Sequence, residues 1–294
     1  LSGKTLLCLG YGYVARRFAA GAAAAGWRIA ATARRAETAA AIAAAGGRAV
    51  LWENEAVDAA ARAADALLVS VPPDERGCPA FRAAANAAAA RARDLVWIGY
   101  LSSNGVYGDH QGAAVDEQAP LKATSARARS RIRAEAEWAG CAAAFALPLV
   151  IFRLPGIYGP GRSVFDAIRS GRAQRIDRPG HVFNRMHVDD IAAALLASLA
   201  DPRAGELFNL ADDLPAAQHE VVEFACRLLG RAPPPLVAFD DAVLSAKARS
   251  FYADGKRASN ALMKERLGVR LLYPSYREGL AAVLAEERGV GNGA

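Results

Sequence analysis

The chain has 294 residues, and its 36 lysines and arginines against 30 aspartates and glutamates give a net charge of +6. Apolar residues make up 53% and charged residues 22%, which excludes a mainly disordered chain, because that much hydrophobicity offsets the ordering entropy of a globular core. The basic surplus is spread as single arginines, with no dense basic block and no zinc-finger or basic-zipper pattern, so no nucleic-acid partner is expected. Apolar stretches are alanine-rich and are broken by Arg, Asp or Gly well short of the roughly 20 residues of a membrane span. Leu6 to Leu9 is too short for a signal-peptide core. No membrane partner is expected either. Cys8, Cys78, Cys141 and Cys226 are far apart with no C-x-x-C pair. That fits reduced thiols in a cytoplasmic protein better than disulfides or zinc. The four histidines are dispersed, and no metal site is expected.

In chain order, short apolar runs alternate with alanine-rich amphipathic stretches. Strands are expected at Thr5–Leu9, Arg28–Thr32, Ala49–Trp52, Ala66–Val71, Leu95–Leu101 and Leu149–Leu154. Helices are expected at Val14–Ala25, Ala36–Ala45, Ala56–Ala64, Pro79–Arg93 and Ser125–Ala144, alanine being the strongest helix former. Continuous apolar strands separated by helices mean a parallel sheet covered on both faces. The expectation is an α/β protein with a Rossmann-like, doubly wound parallel sheet over residues 1–160. A smaller C-terminal mixed α/β substrate lobe follows over residues 161–294, with residues 187–210 returning to the large domain.

The first strand runs into Gly10, Tyr11, Gly12, Tyr13, Val14 and Ala15. Gly10 allows the tight turn and Gly12 lets backbone amides approach a diphosphate. Ala15 fills the small position where helix meets strand. The helix N-terminus then faces the diphosphate charge. At the end of the second strand, Thr32 is followed by Arg34 and Arg35 where an NAD-preferring site usually places a carboxylate. Guanidinium groups there suit a 2′-phosphate, so NADP is the expected cofactor. The alternative is a pair of solvated arginines. Ser70, Val71 and Pro72 end the fourth strand beside the same ligand; proline offers no amide.

Ser102, Ser103, Asn104, Gly105, Val106, Tyr107 and Gly108 follow the fifth strand. This segment resembles the Ser-Ser-x-x-Val-Tyr-Gly motif of extended short-chain dehydrogenases/reductases, the group that contains nucleotide-sugar epimerases and dehydratases. Further motifs follow in the family's order: Asp116-Glu117, Arg153 to Gly161 with Pro155 and Tyr158, His187 to Ile191, Phe208 to Leu210, and Tyr273 to Leu280. The resemblance implies that Ser103 sits at the catalytic serine position. It also implies that Ser103, Asn104, Tyr158, Arg185 and His187 border a substrate cleft.

One departure stands out. The family's catalytic helix carries Tyr-x-x-x-Lys, and registering on Glu135 puts Arg127 and Arg131 at those positions. A guanidinium stays protonated and cannot act as that general base. Ser103, Tyr107, Arg127 and Arg131 are therefore the candidate catalytic residues, with Tyr107 or His187 as substitute proton donors. The chain resembles an atypical member of the family. The resemblance implies an NADP-dependent oxidoreductase or epimerase-like protein acting on a small anionic substrate such as a nucleotide-sugar. The rival is a non-catalytic NADP-binding sensor. A homodimer is left open.

Overall fold

The computed structural model describes residues 3–203 and 205–289. The outer limits of the two expected domains, Leu1 and Ala294, lie outside the described residues. The first half runs β1 (Thr5–Leu9), α1 (Tyr13–Ala24), β2 (Arg28–Ala33), α2 (Ala36–Ala44), β3 (Arg48–Leu51), α3 (Asn54–Arg62), β4 (Ala66–Val69), α4 (Pro79–Ala90) and β5 (Trp97–Ser103). A 3-10 turn over Asn104–Tyr107 leads to β6 (Ala114–Val115), α5 (Ala126–Phe145), β7 (Leu149–Leu154), β8 (Gly156–Tyr158) and α6 (Val164–Arg169). The rest consists of β9 (Arg175–Asp177), β10 (Arg185–His187), α7 (Val188–Ala200), β11 (Leu207–Asn209), α8 (Gln218–Leu228), β12 (Leu236–Ala238), α9 (Ala246–Phe251), β13 (Arg257–Ala258), α10 (Ala261–Leu267) and α11 (Tyr276–Glu287).

Seven strands form one sheet in the order β11-β7-β5-β4-β1-β2-β3, every neighbouring pair parallel. This is the Rossmann arrangement, in which strand order reverses at β1 and ligands gather outside the strand C-termini. β4 and β7 are buried along their whole length, as a sheet covered on both faces requires. One face packs against α1, α2 and α7 through Phe18, Ile42 and Leu195. The other packs against α3, α4 and α5 through Val57, Ala84 and Trp138. Small residues let these layers sit close. A Cβ on Gly21 of α1 would stand 2.5 Å from Leu196 of α7.

The observed boundaries differ from the sequence expectation where chain ends are pulled by backbone bonds. β4 stops at Val69, because the amides of Ser70 and Val71 both turn back to the Leu9 carbonyl, at 3.0 and 3.1 Å. β5 starts at Trp97 and continues to Ser103, paired in register with Leu154 of β7. Residues 188–209 contribute α7 and β11 to the large sheet layer.

The smaller part has its own core of Phe165, Val222, Tyr276 and Leu280 from α6, α8 and α11. Two two-stranded parallel ladders, β8 with β10 and β6 with β13, tie it to segments that leave the C-terminal ends of β7 and β5, and a third, β9 with β12, lies within it. Among the described residues no helix is long and apolar enough to cross a membrane.

Candidate active-site cleft

At the end of β1, Gly10 adopts φ +102°, and a Cβ there would lie 2.7 Å from Ser70 Oγ and 3.2 Å from the Val71 nitrogen. Both conformation and space demand glycine. Its amide donates to Thr32 Oγ1 at 2.7 Å, so buried Thr32 fixes the turn from below. Ser70 Oγ donates to the Gly10 carbonyl at 3.1 Å. Gly12 is the N-cap of α1, and a Cβ on it would meet nothing within 4 Å. The open space above Gly12 and the free amides of the first turn, which contains no acidic residue, form a cradle that fits a diphosphate. Ala15 is buried beneath it. Tyr11 stays half-buried, with the Arg16 guanidinium 5.5 Å from its ring centre. Arg34 is the first residue after β2 and Arg35 is the N-cap of α2. Both are exposed at the same sheet edge.

The cradle opens into a cavity of about 1070 Å³. Gly12, Tyr13, Ser70 and Pro72 line one end. Ser103, Asn104 and Gly105 line the middle. Ser103 Oγ accepts a hydrogen bond from the Gly105 amide at 3.2 Å, so it caps the turn while facing the cavity. Tyr13 bridges to the smaller part, its hydroxyl donating to the Pro160 carbonyl at 2.9 Å while Arg162 stands over its ring.

Opposite Ser103, α5 starts at the N-cap Ser125, whose Oγ accepts from the Ala128 amide at 3.2 Å. One turn apart, Arg127 and Arg131 both line the cavity. Arg127 is exposed and lies over the Phe251 ring at 4.8 Å. Arg131 is half-buried and donates through Nη1 to the Leu101 carbonyl at 2.9 Å and to the Tyr100 hydroxyl at 3.2 Å. Deeper in α5, Glu135 pairs with Arg153 of β7 at 2.8 Å, both side chains almost fully buried. It also accepts from Ser102 Oγ. That pair fixes the rotation of α5 and so the direction of its two cavity-facing arginines.

Several expected site residues are placed elsewhere. Tyr107 is fully buried and its hydroxyl donates to Asn209 Oδ1 at 2.7 Å, beneath the Arg153 guanidinium. Burial pushes its phenol up. It does not line the cavity, so its reading as a substitute acid is corrected to a packing role. His187 is likewise buried away from the cavity and caps α7, Nδ1 accepting from the Asp189 amide at 3.2 Å. Burial lowers its pKa to about 4 and keeps the ring neutral. The following acids are also structural. Asp189 pairs with Arg17, and Asp190 accepts from the Leu272 and Tyr273 amides at 2.7 and 3.0 Å. Tyr158 spends its hydroxyl on the Ser275 carbonyl at 3.2 Å and faces an adjoining pocket of about 490 Å³ instead. Arg185 lines both spaces, held by the carbonyls of Phe183 and Ala216 at 3.0 and 2.8 Å.

The structure adds residues that the sequence did not single out for this cavity. Arg172, Phe251, Asp254 and Lys256 line it as well. They come from segments without periodicity or motif, so nothing local marked them. The lining thus carries five arginines and one lysine, Arg127, Arg131, Arg162, Arg172, Arg185 and Lys256, against one carboxylate, Asp254. Among the described residues no three His, Cys, Asp or Glu side chains stand close enough to hold a metal ion.

Fold and cleft together define a dinucleotide-binding protein of the Rossmann class, and comparison with known proteins narrows the class. The NAD dependent epimerase/dehydratase family model matches residues 83–211. A conserved protein of unknown function from Silicibacter pomeroyi DSS is 46% identical, with a TM-score of 0.90 over 96% of this chain and 99% of that one. Protein YeeZ of Escherichia coli K12 is 30% identical over 178 residues, 60% of this chain and 58% of that protein, so the match spans little more than half of the curated relative. UDP-glucuronic acid 4-epimerase from Bacillus cereus, solved in complex with NAD, shares the fold, with a TM-score of 0.77 over 96% of each chain at 14% identity. Residues 83–211 thus match the NAD dependent epimerase/dehydratase family, and the whole chain has the fold seen in its solved members.

Proposed function

We propose that the protein binds NADP and acts as an oxidoreductase or epimerase-like enzyme on a small anionic molecule, with a nucleoside diphosphate-sugar as the leading chemical class. The observation that carries this reading is the cavity lining, six cations against one carboxylate in a space continuous with the glycine cradle. A cavity of about 1070 Å³ exceeds the usual size for a single drug-sized ligand, so it has room for a nicotinamide end and a second molecule. Guanidinium groups suit phosphate and carboxylate oxygens because they offer paired donors in one plane. Bound there, a nicotinamide dinucleotide would supply hydride chemistry. Gly12 and the α1 amides would hold its diphosphate, and Arg34 and Arg35 its 2′-phosphate. Arg127 and Arg131 would hold the second ligand's anionic group against Ser103.

The test is titration calorimetry with NADPH, NADH and UDP-glucuronic acid. The reading expects NADPH to bind more tightly than NADH and UDP-glucuronic acid to bind the NADPH complex. Failure of NADPH to bind, or tighter binding of NADH, would refute it. Binding of NADPH without turnover of any anionic carbonyl compound would instead favour a non-catalytic sensor, which the missing Tyr and Lys of α5 also suit.

A further inference from the structure

The α5 helix offers the cavity only guanidinium groups, which neither take nor give a proton near neutrality. The phenols are also withdrawn. Tyr107 and Tyr158 are buried and bonded elsewhere, and burial raises the Tyr252 phenol that reaches the wall. His187 does not line the cavity. One nitrogen base remains on the wall.

Lys256 is the only buried lysine among the described residues. It lies just before β13 and lines the cavity, on the segment that continues from Phe251, the ring beneath Arg127. Its Nζ donates to the Gly108 carbonyl at 3.0 Å, at the end of the turn that Ser103 begins. Its nearest carboxylate, Asp254, is 3.9 Å away. Among the described residues its ammonium makes one hydrogen bond and one loose ion pair, which leaves three N–H groups under-satisfied on a residue that lines the cavity. Burial favours the neutral amine, opposed by the carboxylates of Asp254 and Asp109. Arg178 and His181 face the same region. The Arg178 guanidinium bonds to the Tyr252 carbonyl, and burial lowers the His181 pKa to about 4. An under-solvated amine in a cleft, between opposing charges, is the environment that tunes lysine for proton transfer.

We propose that Lys256 is the proton-exchanging residue of this cleft. The inference rests on the function proposed above. A nicotinamide dinucleotide held in the cradle would supply the hydride chemistry. In the reducing direction the Lys256 ammonium would give one proton to the ligand's carbonyl oxygen, leaving a hydroxyl and a neutral amine; in the oxidising direction the neutral amine would take that proton back from the hydroxyl. Asp254 supplies the countercharge for the ammonium.

The test treats the intact protein with pyridoxal 5′-phosphate, an anionic aldehyde that condenses with neutral amines, from about pH 6 to about pH 10. Borohydride reduction and peptide mass spectrometry then locate the label. Lys256 should be labelled with a midpoint below that of an ordinary lysine, and UDP-glucuronic acid should protect it. Exposed Lys122 serves as the internal control. An unlabelled Lys256, or one that titrates together with Lys122, overturns the proposal. Lys256→Arg keeps a donor for the Gly108 carbonyl but cannot exchange the proton. With anionic carbonyl substrates it should lower kcat by about 10²–10⁴-fold with KM little changed. Unchanged turnover in a folded Lys256→Arg protein also overturns it. NADPH binding, measured on wild type and variant, separates the two readings. Its loss in wild type is a failure of the cofactor assignment, while the labelling profile still decides Lys256.

Discussion

Arg131 donates to the carbonyl of Leu101 at 2.9 Å, so a permanently charged group is fixed at the C-terminal end of β5, two residues before Ser103. In a family whose helix carries lysine at this position, the cation could titrate. Here it cannot. On the function proposed above, this helix binds an anion where the family's transfers a proton.

Arg127 tests that change. It lies over the Phe251 ring across the cleft, and its side chain is exposed. Arg127→Ala should weaken UDP-glucuronic acid binding to the NADPH complex by about ten-fold, the scale of one charge-assisted hydrogen bond. NADPH affinity should stay unchanged. Calorimetry with both ligands reads this directly, and equal sugar-nucleotide affinity in wild type and variant would mean the anion is held elsewhere.

Cofactor choice turns on Arg34 and Arg35. Neither guanidinium has an ion-pair partner among the described residues, and Arg35 places positive charge at a helix N-terminus, where it is mildly unfavourable without an anion. The Arg34→Ala, Arg35→Ala double variant should lose a preference for NADPH over NADH of ten-fold or more. Competitive fluorescence titration of the two reduced cofactors measures it.

The Glu135–Arg153 pair is a stability prediction. Both groups are about nine-tenths buried or more and are bonded twice, at 2.8 and 3.2 Å. Glu135→Ala strands the Arg153 cation in a low-dielectric site, which is worth about 3–5 kcal/mol of lost stability. Denaturant unfolding gives the value. A loss below about 1 kcal/mol would show that α5 does not depend on this contact.

Asp212 predicts a pH dependence. Its carboxyl is buried, one oxygen accepts from the Leu214 amide at 3.2 Å, and the other has no hydrogen-bond partner among the described residues. Burial raises its pKa from 3.8 to about 7. A raised carboxyl favours the folded state in its protonated form, so this contribution is full below about pH 4 and is lost as pH rises through 7. Asp212→Asn should therefore gain stability relative to wild type between pH 4 and 8, by about 1–3 kcal/mol at the upper end. A difference that stays flat with pH would contradict the assignment.

The sequence by itself determined the strand–helix alternation, the glycine turn and the serine at the end of β5. Each of these is encoded within a few residues. Gly10 is demanded by its own φ of +102°, and Ser103 caps an amide two positions on. The alanine-rich helices are legible for the same reason, since propensity and burial pattern act along a single element. The tertiary structure alone decided which side chains with the right chemistry face the ligand. Tyr107 sits in a matching motif, yet its hydroxyl is taken by Asn209, 102 residues away. Lys256 sits in no motif, yet packing brings it to the Gly108 carbonyl across 148 residues. Such pairings depend on how segments distant in the chain pack together at the C-terminal edge of the sheet. Burial and the absence of competing partners, which no local pattern records, then set whether a polar group is spent on the fold or left free for chemistry.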